Sequence, residues 1–290
     1  MELKISDLTK RYGNGVLALD CVSLTIGKGM FGLLGPNGAG KSTLMRILAT
    51  LQDADSGTVT LGDKDVLNDK DAVRKTLGYL PQEFGVYPHV STQVLLDHLA
   101  LLKGFTNRGE RRDMVEQLLV KTNLTELRKK SVSSFIGGMR QRFGIAQSLI
   151  GNPSLVIVDE PTAGLDPGER NRFYNILSEL GEDTILILST HIVQDVHELC
   201  PRMAILDKGK VLFSGKTDDA MLLVKGKIWE KSVEKSELSA YQNEYKIVST
   251  KLVAGKPLIH VFSGSSLNNG FEPADSNLED VFFTKLNGLI

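Results

Sequence analysis

The nine residues from Gly35 to Thr43, GPNGAGKST, set three glycines, a lysine and two hydroxyls in the spacing G-x-x-x-x-G-K-[ST]. This is the chemistry of a polyphosphate cradle. Gly35, Gly38 and Gly40, with Pro36, Asn37 and Ala39 between them, let the backbone curl so that successive N–H groups point at phosphate oxygens, and a helix N-terminus adds its dipole. Lys41 then reaches the β- and γ-phosphates, Ser42 offers a hydroxyl to Mg²⁺, and Thr43 follows. A turn that only joined a strand to a helix would need neither Lys nor Ser at those places. A second set lies in LVIVDE, residues 155–160, an apolar run that closes on two carboxylates. Asp159 is placed to hold Mg²⁺ through water and Glu160 to polarise an attacking water as general base.

These groups need elements to hold them. MFGLLG (30–35), LVIVDE (155–160) and TILILS (184–189) are apolar on both faces, as buried parallel strands are, and MAILDKGKVLFSG (203–215) also reads as strand. Helical periodicity is predicted over 41–51, 91–102, 110–123, 138–150 and 167–180. Strands alternating with helices imply an α/β fold, a parallel sheet covered on both faces, which places Gly35 and Asp159 at the ligand-binding carboxyl edge. LKISDLTKRY and ALDCVSLTI alternate with period two and predict an antiparallel β subdomain beside that core. The apolar stripe at 94–102 predicts the packing face of a helical subdomain over about 84–150.

The texture changes near residue 217. TDDAMLLVKGKIWEKS, with the single Trp, reads as a mixed helix; YKIVSTKLVAGKPLIHVFSG reads as two strands and a Gly/Pro turn. In SNLEDVFFTKL, Ser276 and Glu279 have capping-box spacing. Two units are expected: 1–217, and a small C-terminal α+β appendage at 218–290 without a catalytic constellation. His89, His98, His197 and His260 fall in no motif and are read as structural or exposed.

Composition narrows the function classes. With 34 basic and 35 acidic residues the net charge is −1, so no global field favours nucleic acid, and no nucleic-acid partner is expected. Two distant cysteines, Cys21 and Cys200, are read as small buried apolar side chains. MELKISDLTK lacks a secretory pattern, and no apolar run approaches the roughly 20 residues of a membrane span. A cytoplasmic location is expected, with membrane association only through a partner.

With the two phosphate motifs in this order and a Gly-Gly-Met-Arg-Gln segment just before the second, residues 1–217 resemble the ATP-binding cassette (ABC) family, the nucleotide-binding subunits of membrane transporters. The resemblance implies a P-loop NTPase core, bound ATP and Mg²⁺, ATP hydrolysis, dimerisation with a second ABC subunit, and a transmembrane permease as partner at the cytoplasmic face of the membrane. It places Tyr12 of KRYGNG against adenine. Gln82 of GYLPQE would reach metal and attacking water and report occupancy to the permease. Asp166 of AGLDP would cross to the second subunit while capping the helix at Pro167, and His191 would contact the γ-phosphate. The tail NLEDVFFTKL is similar to that of exporter-type subunits. A non-transport cassette usually carries two cassettes or a coiled-coil insert, neither present here, and a pure ATP sensor has no need of Glu160.

The family pattern Leu-Ser-Gly-Gly reads Phe135-Ile136-Gly137-Gly138 here. Phe135 keeps an apolar side chain; Ile136 removes a hydroxyl that would donate to the γ-phosphate of the partner's ATP. Gly137 and Gly138 still offer N–H groups and a helix dipole. A hydroxyl bonded to charged phosphate contributes about 1.5–3 kcal/mol, so its loss weakens ATP-driven closure roughly 10- to 150-fold per site. Either a different cassette with an intact signature completes this chain's ATP, giving asymmetric sites, or a homodimer turns over slowly at two impaired sites. Ile136→Ser is expected to accelerate steady-state ATP hydrolysis; an unchanged rate would show that the hydroxyl is dispensable here.

Overall fold

The computed structural model describes residues 1–85, 87–162, 164–180 and 183–290. The chain opens with β1 (Glu2–Arg11), β2 (Leu17–Gly27) and β3 (Gly29–Leu34), then α1 (Lys41–Leu48), β4 (Ser56–Leu61), β5 (Lys64–Asp65), α2 (Lys70–Lys75) and β6 (Leu77–Leu80). A helical segment follows: α3 (Thr92–Leu102), α4 (Arg108–Lys121) and α5 (Gly137–Ser148). The chain then alternates through β7 (Leu155–Asp159), α6 (Pro167–Leu180), β8 (Ile185–Thr190), α7 (Val193–Leu199), β9 (Arg202–Asp207) and β10 (Lys210–Lys216). It ends with α8 (Thr217–Leu222), β11 (Ile228–Ser232), α9 (Leu238–Glu244), β12 (Ile247–Val253), β13 (Lys256–Phe262), β14 (Glu272–Pro273) and α10 (Leu278–Leu286).

The apolar runs form a central sheet of order β10-β9-β3-β8-β7-β6, parallel except for the β10 edge. Both faces of the inner strands β3, β8 and β7 are buried because each feeds a separate core, while the β10 edge is partly exposed. On β7, Leu155 and Ile157 pack with α1 and the antiparallel sheet β2-β1-β4-β5, while Val156 and Val158 pack with α6, α7 and α10. Each such side chain contributes about 1.5–3 kcal/mol by leaving water. Leu95, Val115, Leu119 and Phe143 join α3, α4 and α5 in a third core.

Several local expectations shift. α8 stops at Leu222, so Trp229 lies on strand β11, not on a helix. The capping box is Asn277 with Asp280, one residue later than Ser276 and Glu279. That phase turns Leu278, Val281 and Phe282 into the core shared with the central sheet. Cys21 is exposed at a positive φ of 51°, while Cys200 is buried as expected and burial pushes its thiol pKa up. On α3 only Leu95, Leu96 and Ala100 of the apolar stripe are buried; Val94, Leu101 and Leu102 face outward.

The C-terminal sheet, β12-β13-β11-β14, holds a core of its own around Val233, Ile259, Val261 and Phe271. His260 is buried between this sheet and α10, its Nδ1 2.7 Å from Asp280 Oδ1 and its Nε2 3.4 Å from Glu230 Oε2. The hydrogen bond to Asp280 raises the His260 pKa above 6.5; burial and Lys251 oppose the rise, and the Asp280 and Glu230 charges add to it. Stability gained from the charged imidazole is therefore complete below its ordinary pKa of 6.5 and lost as pH climbs through the elevated folded value. Urea unfolding followed by Trp229 fluorescence is expected to weaken over that window by on the order of 1 kcal/mol, and His260→Gln to remove the pH dependence.

Candidate functional site

The register of the central sheet brings the functional loops to one edge. Leu34 of β3 lies opposite Thr190 of β8, and Asp159 of β7 lies opposite Ser189 of β8. The loop at Gly35, the turn at His191 and Glu160 thus leave neighbouring strands at the same level.

The phosphate loop is held by close backbone contacts. A Cβ on Gly35 would stand 2.4 Å from the Leu206 carbonyl, and one on Gly40, whose φ is +106°, would stand 2.3 Å from the Ala18 carbonyl. Only glycine lets this loop sit against β2 and β9. Gly40 is the N-cap of α1 and offers no side-chain acceptor, so the first N–H groups of the helix face the cleft without a cap. Lys41 curls back over the loop, donating to Gly35 O at 2.6 Å and Pro36 O at 3.2 Å, with Glu160 Oε1 3.4 Å from its Nζ.

Glu160 is buried, and its other oxygen, Oε2, lies 2.5 Å from His191 Nδ1. Its backbone stands at a positive φ of 50° and its N–H donates to Ser189 O at 2.8 Å. For a non-glycine residue that conformation costs about 1–3 kcal/mol and marks functional sites. Beside it, Asp159 is buried with Oδ1 lacking any hydrogen-bond partner among the described residues. Burial lifts its carboxyl above the ordinary value and the Glu160 charge adds to this; the Ser189 and Ser42 hydroxyls and Lys41 act against it. An orphaned, buried carboxylate oxygen near a serine hydroxyl suits a hard divalent cation, so the residues present fit Mg²⁺.

Tyr12, Val16, Ala18, the loop from Pro36 to Thr43, Gln82, Glu160 and His191 line one open cleft of about 340 Å³. The Tyr12 hydroxyl is anchored 3.0 Å from Thr43 Oγ1 and donates to Gln52 Oε1 at 3.3 Å. Gln82 is exposed in the loop after β6. A larger hollow of about 780 Å³ by Phe105 and Asp183 holds none of these groups.

Gly35 and Asp159 adjoin this lining without forming part of it, and four other expected site residues lie elsewhere in the fold. Ile136 is 75% exposed at the N-cap of α5 with no capping hydrogen bond, and Gly137 and Gly138 begin that helix. Gly138 packs so closely on Glu169 of α6 that a Cβ would strike its carboxylate. Exposed Asp166 caps α6, its Oδ1 accepting from Glu169 N at 2.9 Å. Sequence reasoning passed over Ser189, beside Asp159, and Asp195, an acidic residue fully buried on α7. The signal for Asp195 was an acid on the apolar stripe of Val196 and Leu199.

Comparison with known proteins accords with this geometry. Residues 19–163 match the family model described as ABC transporter. The linearmycin resistance ATP-binding protein LnrL of Bacillus subtilis (strain 168) is 35% identical over 219 residues, 74% of this chain and 70% of that protein. The daunorubicin/doxorubicin resistance ATP-binding protein DrrA of Streptomyces peucetius is also 35% identical, over 75% of this chain and 66% of that one. The dimeric structure of MJ0796, a bacterial ABC transporter cassette, superposes with a TM-score of 0.67 at 26% identity, covering 74% of this chain and 98% of its own. A post-hydrolysis dimer of MJ0796 bound to ADP and Pi gives a TM-score of 0.66 at 26% identity, with coverage of 74% and 98%. A phosphate loop, a strand-end carboxylate pair and a histidine gathered on one sheet edge, together with these likenesses, make the chain a member of the ABC transporter family, one of its ATP-binding and ATP-hydrolysing subunits.

Proposed function

We propose that this cassette powers export through a separate transmembrane permease at the cytoplasmic face of the membrane, with Glu160 as the general base of ATP hydrolysis. The observation that carries the catalytic assignment is the position of Glu160, shared between Lys41 and His191 at the rim of the phosphate loop. Export is supported by the drug-resistance names of LnrL and DrrA. No helix among the described residues is long and apolar enough to cross a membrane.

In this reading the N–H groups of residues 35–43 and the α1 N-terminus bind the phosphates, and Tyr12, fixed through Thr43 and Gln52, stacks on adenine. Lys41 turns from the Gly35 carbonyl and Glu160 toward phosphate oxygens, which leaves Glu160 free to take the proton of the attacking water. His191 holds the other Glu160 oxygen and orients it, and contacts the terminal phosphate. Ser42 and Asp159, with Gln82, hold Mg²⁺, which when bound neutralises phosphate charge. Gln82 joins the cleft to the helical segment above it, where Arg140 of α5 and Phe84 share a second hollow with it. Residues 1–217 act as the cassette and 218–290 as an accessory unit; the separate C-terminal sheet and core support that division.

Ile136, Gly137, Gly138 and Asp166 lie off the chain's own cleft and serve the ATP of a second subunit. With Ile136 exposed and no hydroxyl at the α5 N-cap, the ATP site that this turn completes is a weakened one. Glu160→Gln is expected to lower the turnover number roughly 10²- to 10⁴-fold while ATP affinity stays within a few-fold, measured by phosphate release and by equilibrium binding of ATP with magnesium. Turnover near the native rate would remove Glu160 from the base role.

A further inference from the structure

Asp195 sits on α7, outside the cleft, with no accessible surface. Its carboxylate gathers three hydroxyls from three different segments. Thr162 Oγ1, two residues beyond Glu160, donates to Oδ2 at 2.5 Å. Thr190 Oγ1, the residue before His191, donates to the same oxygen at 3.0 Å and itself accepts from Ile192 N at 3.0 Å. Tyr174, on the helix that Asp166 caps, donates its hydroxyl to Oδ1. Burial, and then the bond to Asp195, raise the Tyr174 pKa. No cation pairs with this carboxylate among the described residues.

Packing alone does not call for a carboxylate here. An apolar side chain at this point of α7 would fill the space without removing an acid from water. What the acid supplies is a common acceptor for the two chain segments that carry Glu160 and His191. Both segments are bound through one oxygen, which adds a side-chain tie beyond the strand ends to the backbone bond that Glu160 N–H makes to Ser189 O.

We propose that Asp195 is a positioning residue for hydrolysis: by holding Thr162 and Thr190 on one oxygen it fixes the Glu160–His191 pair in its productive geometry, and through Tyr174 it ties that pair to the middle of α6. The proposal rests on the roles assigned above to Glu160 and His191. Asp195 is fully buried and does not line the cleft, and its hydrogen-bond partners among the described residues, Thr162, Thr190 and Tyr174, lie outside the phosphate loop. Its loss should therefore reach kcat and spare ATP binding.

The test is the steady-state ATPase of the full chain. Asp195→Ala is expected to lower kcat roughly 10²-fold, the scale of a misplacement of about 1 Å, with KM for ATP within about twofold. Asp195→Asn keeps one oxygen for Thr162 and Thr190 and an NH₂ for the Tyr174 oxygen, and should recover most of the rate. Combined with His191→Ala, Asp195→Ala should cost much less than it does alone, because both act on the same pair. If Asp195→Ala fails to fold, the double variant Thr162→Val/Thr190→Val decides, with kcat lost at unchanged KM supporting the role. An unchanged kcat, or kcat and ATP binding falling together with the melting temperature, overturns it. Glu160→Gln run alongside separates the two readings: if it keeps native turnover, the base assignment fails; if it is inactive while the Asp195 variants are not, only the positioning role fails.

Discussion

The register of three parallel strands governs the rest of this molecule. β3, β8 and β7 are neighbours in one ladder, with Leu34 level with Thr190 and Ser189 level with Asp159. Strands in a sheet stand about 4.8 Å apart, so three loops that leave at the same level project side chains into one small volume. Lys41, Glu160 and His191 meet there although they come from positions far apart in the chain. A slip of one residue in the β7–β8 pairing would turn β7 over, sending Val158 toward the α1 side and breaking the site. The double-sided burial of β7 prevents the slip, since Leu155 and Ile157 belong to one core and Val156 and Val158 to the other.

Two adjacent carboxylates then take different parts because their surroundings differ. Asp159 keeps a buried oxygen with no hydrogen-bond partner among the described residues, and burial and the charge of Glu160 disfavour its charged form. Glu160 is matched at both oxygens, by Lys41 on one side and His191 on the other. The positive φ at Glu160 lifts it out of the strand and toward the cleft, and the backbone bond to Ser189 on the neighbouring strand offsets part of that strain.

The start of α5 lies on a surface apart from the cleft. The start of α5 rests on Glu169 of α6, whose own N-terminus Asp166 caps, so the turn at Ile136 to Gly138 and the loop at Asp166 are braced as one surface. At its rim Ile136 exposes a β-branched apolar side chain and leaves the α5 N-cap without a side-chain hydrogen bond. At the other end of the molecule, α10 enters the core beneath α7, the helix that carries Asp195. The C-terminal segment is thereby packed against the element that ties the Glu160 and His191 turns together.

The spacing of GPNGAGKST, the strand-end pair Asp159–Glu160 and the two-faced apolar runs were legible from residue types alone, because each is a local pattern with one physical use. That Ile136 carries no hydroxyl is likewise given by residue type. The edge strand β6, the strand that carries Trp229, the one-residue shift of the capping box to Asn277 and the three hydroxyls on Asp195 were not legible. Each is decided by what lies across the gap: β6 by its ladder with β7, β11 by its pairing with β13, the phase of α10 by the core it must fill, and Asp195 by segments that only folding brings to it. Local sequence determines which groups exist and which periodicity they follow. Tertiary structure decides which of them share a hydrogen bond, because a buried polar group must find its partner from any part of the chain.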